Sequence, residues 1–281
     1  MHKDFKKFAS VFGDYAKPVR TMSDSAWRLI AGQCYVVIPA GGQSKRLRGV
    51  VRSGLNKITT PLPNGDTLLE YNIRYYRDAG IHDFVLLVGH AAGSVEKLIG
   101  DGSRLKVRVR YSHDPVKPVA TGGAIRHALE QQLLDPAKYM LVHNGGDIFY
   151  GYPGNLPRAF VSQHLAFEKK GSVATILSAP LSLVQGSVLK IVKGYVRTVH
   201  YYAYVPMPYH AAATIFSPEA MPYFKKLFPL NKKMEFERTL FPYLSKLRKL
   251  TAMKVDNDYF LAVKNEKQWE ELQALFTAKR R

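Results

Sequence analysis

Apolar residues in this chain fall into short unbroken runs, separated by longer segments of helical period. Cys34–Ile38, Phe84–Val88 and Tyr139–His143 have the length and apolar continuity of strands buried on both faces, and Lys106–Tyr111 alternates its faces. Between them, Thr67–Gly80 is amphipathic with Gly80 as its stop, and Ala92–Ile99 makes a short helix. Thr121–Leu129 starts on Thr121 as N-cap and continues as a helix. Buried strands that alternate with helices at this spacing predict an α/β fold with a doubly wound, mostly parallel mixed sheet. Ligands of such sheets sit beyond the carboxyl ends of the strands.

After residue 150 the rhythm loosens into an α+β half. Ser172–Ser178 and His210–Phe216 read as strands, and Ser187–Val192 with Tyr195–Tyr202 as a hairpin turned at Lys193-Gly194. Ser217-Pro-Glu caps a helix with proline in its first turn. Glu235–Lys246 is helical, Lys249–Val255 and Tyr259–Val263 are short strands, and Glu266–Lys279 is a closing helix. At the other end, Phe5, Phe8, Val11 and Phe12 recur at helical spacing among lysines, which predicts a short amphipathic helix in an N-terminal extension over residues 1–32. Residues 33–281 then form one domain, with a first half over 33–150 and a second over 151–281.

Composition narrows the classes. The single cysteine, Cys34, lies inside a strand, so no disulfide framework exists and a reducing, cytoplasmic setting is expected. No apolar stretch is long enough to span a bilayer, and the N-terminus lacks the pattern of a secretory signal. Lys and Arg number 41 against 22 Asp and Glu, a net charge of +19 that favours polyanionic or phosphate-rich ligands. The basic residues are scattered, and no arginine-rich arm or aromatic RNA-binding motif accompanies them, which disfavours nucleic acid.

Candidate chemistry concentrates after the first strand. Ala40-Gly41-Gly42 follows Cys34–Ile38 directly, and Arg46, Arg48 and Lys57 come next. Adjacent glycines let backbone N–H groups approach a ligand, and the cations beyond supply donors to phosphate oxygens. The stretch is neither a Gly-Lys-Ser/Thr loop nor a Gly-x-Gly-x-x-Gly turn. Asp147, among glycines after a buried strand, has the chemistry of a hard-metal ligand or of a turn-forming residue. The nine histidines have no metal-ligand spacing.

Taken in order, these motifs resemble the nucleotidyltransferases that make nucleotide-sugars, closest in wording to heptose- and mannose-1-phosphate guanylyltransferases. Ala40-Gly41-Gly42-Gln43-Ser44-Lys45-Arg46-Leu47 resembles that family's triphosphate loop, and Asn56-Lys57 its Pro-Lys. Asp114-Pro115 and Thr121-Gly122-Gly123-Ala124-Ile125 resemble its base-recognition segment, and His143-Asn144-Gly145-Gly146-Asp147 its Asn-Gly-Asp. The resemblance covers about residues 33–275 and implies a Rossmann-like nucleotidyltransferase fold. It implies transfer of a nucleotide from a nucleoside triphosphate to a sugar 1-phosphate, with pyrophosphate released and Mg²⁺ as cofactor. Arg46, Lys57 and Asp147 would be catalytic, with Asp147 on the metal. Ala40, Gly41, Gly42, Gln43, Ser44, Lys45, Asp114, Thr121, Gly122, Asn144 and Gly146 would contact the nucleotide.

The departures lie on the acceptor side. Tyr204-Val205-Pro206 stands where the family has Glu-Lys-Pro. Tyr259–Val263 stands for its Trp-x-Asp-Ile-Gly, which sets Leu261 at the second metal aspartate. Two other readings therefore stand beside the enzyme: a nucleotide-binding protein that regulates a partner, and a basic nucleic-acid binder. Tyr201, Tyr202, Tyr204 and Tyr209 also leave a cationic acceptor of the phosphocholine type open. A homo-oligomer is compatible with all of these.

Overall fold

Helix α1 (Asp24–Ala31), started by the Ser23 hydroxyl, leads into β1 (Cys34–Pro39), the hub of the central sheet. In this computed structural model the described residues are 13–43, 47, 49, 56–115, 117, 119–184 and 186–278. The expected helix at Phe5–Phe12 lies outside them. The first half then runs through α2 (Leu68–Asp78), β2 (Asp83–Val88), α3 (Ala92–Ile99), β3 (Arg108–His113), α4 (Ala120–Glu130), β4 (Tyr139–His143) and β5 (Asp147–Phe149). The second half contains α5 (Leu156–Glu168), β6 (Ala174–Ala179), β7 (Ser182–Leu183), β8 (Ser187–Val192), β9 (Tyr195–Tyr201), β10 (Tyr204–Val205) and β11 (Tyr209–Phe216). After these come α6 (Met221–Leu227), α7 (Phe236–Lys246), β12 (Leu250–Lys254), β13 (Phe260–Ala262) and α8 (Glu266–Ala278).

The seven-stranded sheet has the order β12-β6-β11-β4-β1-β2-β3. Four of its pairings are parallel, and β11 runs antiparallel to both β4 and β6, so the sheet is mixed and mostly parallel as the sequence predicts. Alternate residues of β1 feed opposite layers. Val36 and Ile38 pack with Trp27, Leu69 and Ile73, while Tyr35 and Val37 pack with Ile125, Phe216 and Phe224. Burial on both faces is why these strands read as unbroken apolar runs. Each large apolar side chain so buried contributes roughly 1.5–3 kcal/mol.

Local signals explain most element boundaries. Thr67 and Glu70 form a reciprocal capping box at the start of α2, and Gly80, at φ +103°, ends it in a conformation that suits glycine. Two expected caps differ. Thr121 lies inside α4, whose N-cap is Val119 without a side-chain cap bond, and Ala120 before it takes a left-handed φ of +58°. Ser217 makes no capping bond; its hydroxyl lies 2.9 Å from His164 Nε2.

Helix α5 was not expected, because its buried face mixes Phe160 and Val161 with Ser162, Gln163 and His164. The structure explains that polarity. Gln163 Oε1 accepts from the Val19 amide (2.9 Å), and Ser162 Oγ from that of Met22 (3.1 Å). Residues 13–32 are thus bonded to the body, with Tyr15 Oη 2.7 Å from Ser178 Oγ and Trp27 Nε1 donating to the Ala79 carbonyl at 2.6 Å. No described helix is long and apolar enough to cross a membrane.

Candidate functional site

The carboxyl ends of β1, β2, β3 and β4 open on one edge of the sheet, as their parallel pairings require. A cleft of about 1060 Å³ lies there, lined by Gly41, Gly42, Gln43, Lys57, Gly89, Asp114, Thr121 and Gly146 among others. Four segments far apart in sequence therefore meet where doubly wound folds bind ligands.

The turn after β1 is built by close backbone approach. A Cβ on Gly41 would stand 3.1 Å from the Gly89 nitrogen and 3.5 Å from Asp114 Oδ2, so the turn and the end of β2 pack backbone against backbone. Asn56, 3% exposed, holds the turn from below. Its Nδ2 donates to the carbonyls of Ala40 and Gly42, and its Oδ1 accepts from the Ile58 amide. This asparagine acts as a clamp on the turn. Ser44, Lys45 and Arg46 lie outside the described residues.

The second turn, His143–Asp147, is clamped in the same manner. Asn72 Nδ2 donates to the carbonyls of Gly145 (3.2 Å) and Asp147 (3.1 Å). His143 is fully buried between the Tyr76 hydroxyl (3.1 Å) and the Asp147 carbonyl (3.0 Å), and desolvation lowers its pKa. It is a structural bridge. Lys57 crosses the turn over Gly146 and donates to the Val263 carbonyl at 2.6 Å. A Cβ on Gly146 would lie 1.8 Å from Lys57 Nζ, so the glycine is what admits the lysine.

Asp147 begins β5 and is 1% exposed. Its Oδ2 is 2.7 Å from Lys264 Nζ, and its Oδ1 accepts from the Val263 amide at 3.3 Å. The short antiparallel pair β5–β13 sets Ala262 directly opposite Asp147, and Leu261 opposite Ile148. Directly opposed residues share a face of the pair. The position facing Asp147 is therefore Ala262, which carries a methyl group, while Leu261, set by the motif at the second metal aspartate, faces Ile148. Among the described residues no three His, Cys, Asp or Glu side chains come together as a metal could use them.

On the far side of the cleft, Thr121 Oγ1 donates to Glu235 Oε2 at 2.7 Å. Asp114 has its pKa raised by burial, with His127 and Lys233 acting the other way. Three expected contacts do not line the cleft. Ala40 is buried and bonded to the Leu87 carbonyl, and the Asn144 amide donates to Ala212. Gly122 is a packing residue, since a Cβ there would fall 2.2 Å from the Phe228 ring and 2.8 Å from the Met234 carbonyl.

Sequence reading missed Lys264, Lys233, Glu235 and Asn72. Nothing local distinguishes them; Lys264 and Asp147 are 117 residues apart and meet only through β5–β13. The tyrosines divide. Tyr202 carries the Lys267 ammonium 3.9 Å from its ring centroid, Tyr209 contacts Phe260, and Tyr201 and Tyr204 are exposed. Hairpin β8–β9 stands away from the core with its residues almost entirely exposed.

The family model for nucleotidyl transferases matches residues 35–183. The chain is 28% identical over 151 residues to the bifunctional protein GlmU of Acetivibrio thermocellus, a match covering 53% of this chain and 29% of that longer protein. A Bacillus anthracis structure assigned as a glucose-1-phosphate thymidylyltransferase, in complex with sucrose, superposes with a TM-score of 0.65 at 17% identity, over 86% of this chain and 94% of the other. HddC from Yersinia pseudotuberculosis superposes with a TM-score of 0.61 at 19% identity, over 86% and 99%. The structural likenesses carry the fold, and the family match spans the strands, glycine turn and clamped second turn that build the cleft: the chain belongs to the nucleotidyl transferase family.

Proposed function

We propose that the chain joins a nucleoside triphosphate to a sugar 1-phosphate and releases pyrophosphate. What supports this most is the convergence of Gly41, Gly42, Lys57 and Asp114 on one cleft at the carboxyl edge of the sheet. In this reading the Gly41 and Gly42 amides hold phosphate oxygens, and Arg46 clamps the β- and γ-phosphates. Lys57 neutralises the α-phosphate or the acceptor phosphate, and Thr121 lines the base or ribose pocket. An acceptor phosphate oxygen attacks the α-phosphorus in line; the bond from that phosphorus to the bridging oxygen breaks, and pyrophosphate leaves. The nucleophile is already anionic, so no general base is required, and positioning with charge neutralisation carries the catalysis.

Magnesium on Asp147 does not fit the residues found there. Both carboxylate oxygens have partners, the opposed side chain is the Ala262 methyl, and Lys264 supplies the nearest positive charge. No step is assigned to a metal at this position. The same observation favours a second reading, a protein that binds the nucleotide and does not transfer it; Tyr204-Val205-Pro206 in place of Glu-Lys-Pro favours it too. Pyrophosphate release, measured across nucleoside triphosphates and a panel of sugar 1-phosphates, tests both. Release with one pair supports transfer. Nucleotide binding without release from any pair supports the second reading, and absence of both removes the two together.

A further inference from the structure

We infer that the Lys264 ammonium fills the cation position beside Asp147, so that the cleft takes the phosphate chain of its nucleotide without a divalent ion. The inference rests on the nucleotide reading of the cleft and adds to it how the site is charged. Asp147 is buried, and a buried carboxylate needs a cationic partner. A hard divalent ion would draw on several oxygen ligands. Here the opposed strand offers Ala262, and the carboxylate meets Lys264 Nζ at 2.7 Å.

Lys264 is held for this task from both ends. Its backbone amide donates to Gln268 Oε1 at 2.8 Å, and Gln268's own amide is bound by Asn265 Oδ1 at the start of α8. The lysine is thus fixed where β13 ends and the helix begins. Its side chain remains 40% exposed against 2% for Asp147, and it lines the cleft. An ammonium offers three donors, so Lys264 can hold Asp147 with one and present the others to an anion. Lys57, bonded to the neighbouring Val263 carbonyl, brings a second ammonium to the same wall. Lys264 compensates Asp147, and both lysines, with Lys233, line the cleft that a phosphate chain would enter.

The full chain is titrated calorimetrically with nucleoside triphosphates and with inorganic tripolyphosphate, in excess EDTA and in excess Mg²⁺. The wild-type nucleotide Kd is expected to differ by less than about threefold between the buffers. Lys264→Ala, checked for folding by circular dichroism, is expected to bind about tenfold or more weakly in EDTA and to recover part of that loss in Mg²⁺, its vacated carboxylate being open to the ion. A wild-type affinity that drops tenfold or more in EDTA overturns the inference. A separate titration with Mn²⁺ alone needs no nucleotide. Wild type is expected to bind none, and a stoichiometric wild-type Mn²⁺ site lost in Asp147→Ala overturns the inference. No wild-type binding of nucleotide or tripolyphosphate in either buffer overturns the nucleotide reading and the phosphate half of the inference, and the Mn²⁺ titration still decides whether Lys264 occupies the cation position.

Discussion

Lys57 reaches the Val263 carbonyl by passing over Gly146, and the space it uses is where any other residue at 146 would carry its Cβ. Gly146→Ala brings the new methyl against the far end of a flexible side chain, which can swing aside. The expected result is a folded protein with Lys57 displaced. Nucleotide affinity should fall about tenfold, the value of one charge-assisted contact, with an unfolding midpoint close to wild type. Calorimetric titration beside a thermal melt separates the two effects; unchanged affinity would remove Lys57 from the phosphate site.

Gly122 is the opposite case. A Cβ there meets the Phe228 ring and the Met234 backbone, neither of which can retreat cheaply. Gly122→Ala is expected to cost about 1–3 kcal/mol of stability by overpacking, read from a urea transition. The fraction that remains folded should keep its nucleotide affinity, since Gly122 does not line the cleft. Weaker binding without loss of stability would return Gly122 to the nucleotide contacts expected from its motif.

Asn56→Ala removes the donor to the Ala40 and Gly42 carbonyls and the acceptor for the Ile58 amide. Leaving buried polar groups unpaired should cost about 1–3 kcal/mol. Because the lost bonds shape the glycine turn, nucleotide binding is expected to weaken in parallel, with faster amide exchange at Gly41 and Gly42. Stability lost with the turn's exchange unchanged would show that the turn holds without its clamp.

Buried His164 gives a pH prediction. It bridges Thr175 (2.8 Å) and Ser217 (2.9 Å), and desolvation lowers its pKa from 6.5 to about 4. The folded state therefore prefers the neutral ring, and the unfolded chain takes up the proton first. Its contribution is fully present above pH 6.5 and is lost as pH falls towards 4, on the order of 3 kcal/mol over that window. His210, also lowered to about 4 by burial, acts in the same direction. Urea midpoints measured across the window should slope downward towards acid, and His164→Gln should flatten part of the slope. Midpoints independent of pH would mean that His164 does not titrate with folding.

What the chain states locally is its strand and helix inventory and its ligand edge. Unbroken apolar runs such as Cys34–Ile38 report burial on both faces, and Thr67 with Glu70 announces a helix start, because both signals act within a few residues. The glycine turn and the Asp147 turn were legible as chemistry for the same reason. Helix α5 escaped because Ser162 and Gln163 answer backbone groups of residues 19 and 22, which no periodicity encodes. The partner of Asp147 was decided by tertiary structure alone. The pairing of β13 with β5 sets Ala262 opposite Asp147, and with a side-chain period of two a slip of one residue would change the face, so no local pattern states that partner. That register, with the entry of α8 just beyond it, brings the Lys264 ammonium to a buried carboxylate 117 residues away, where the sequence suggested a metal ligand or a turn-forming residue.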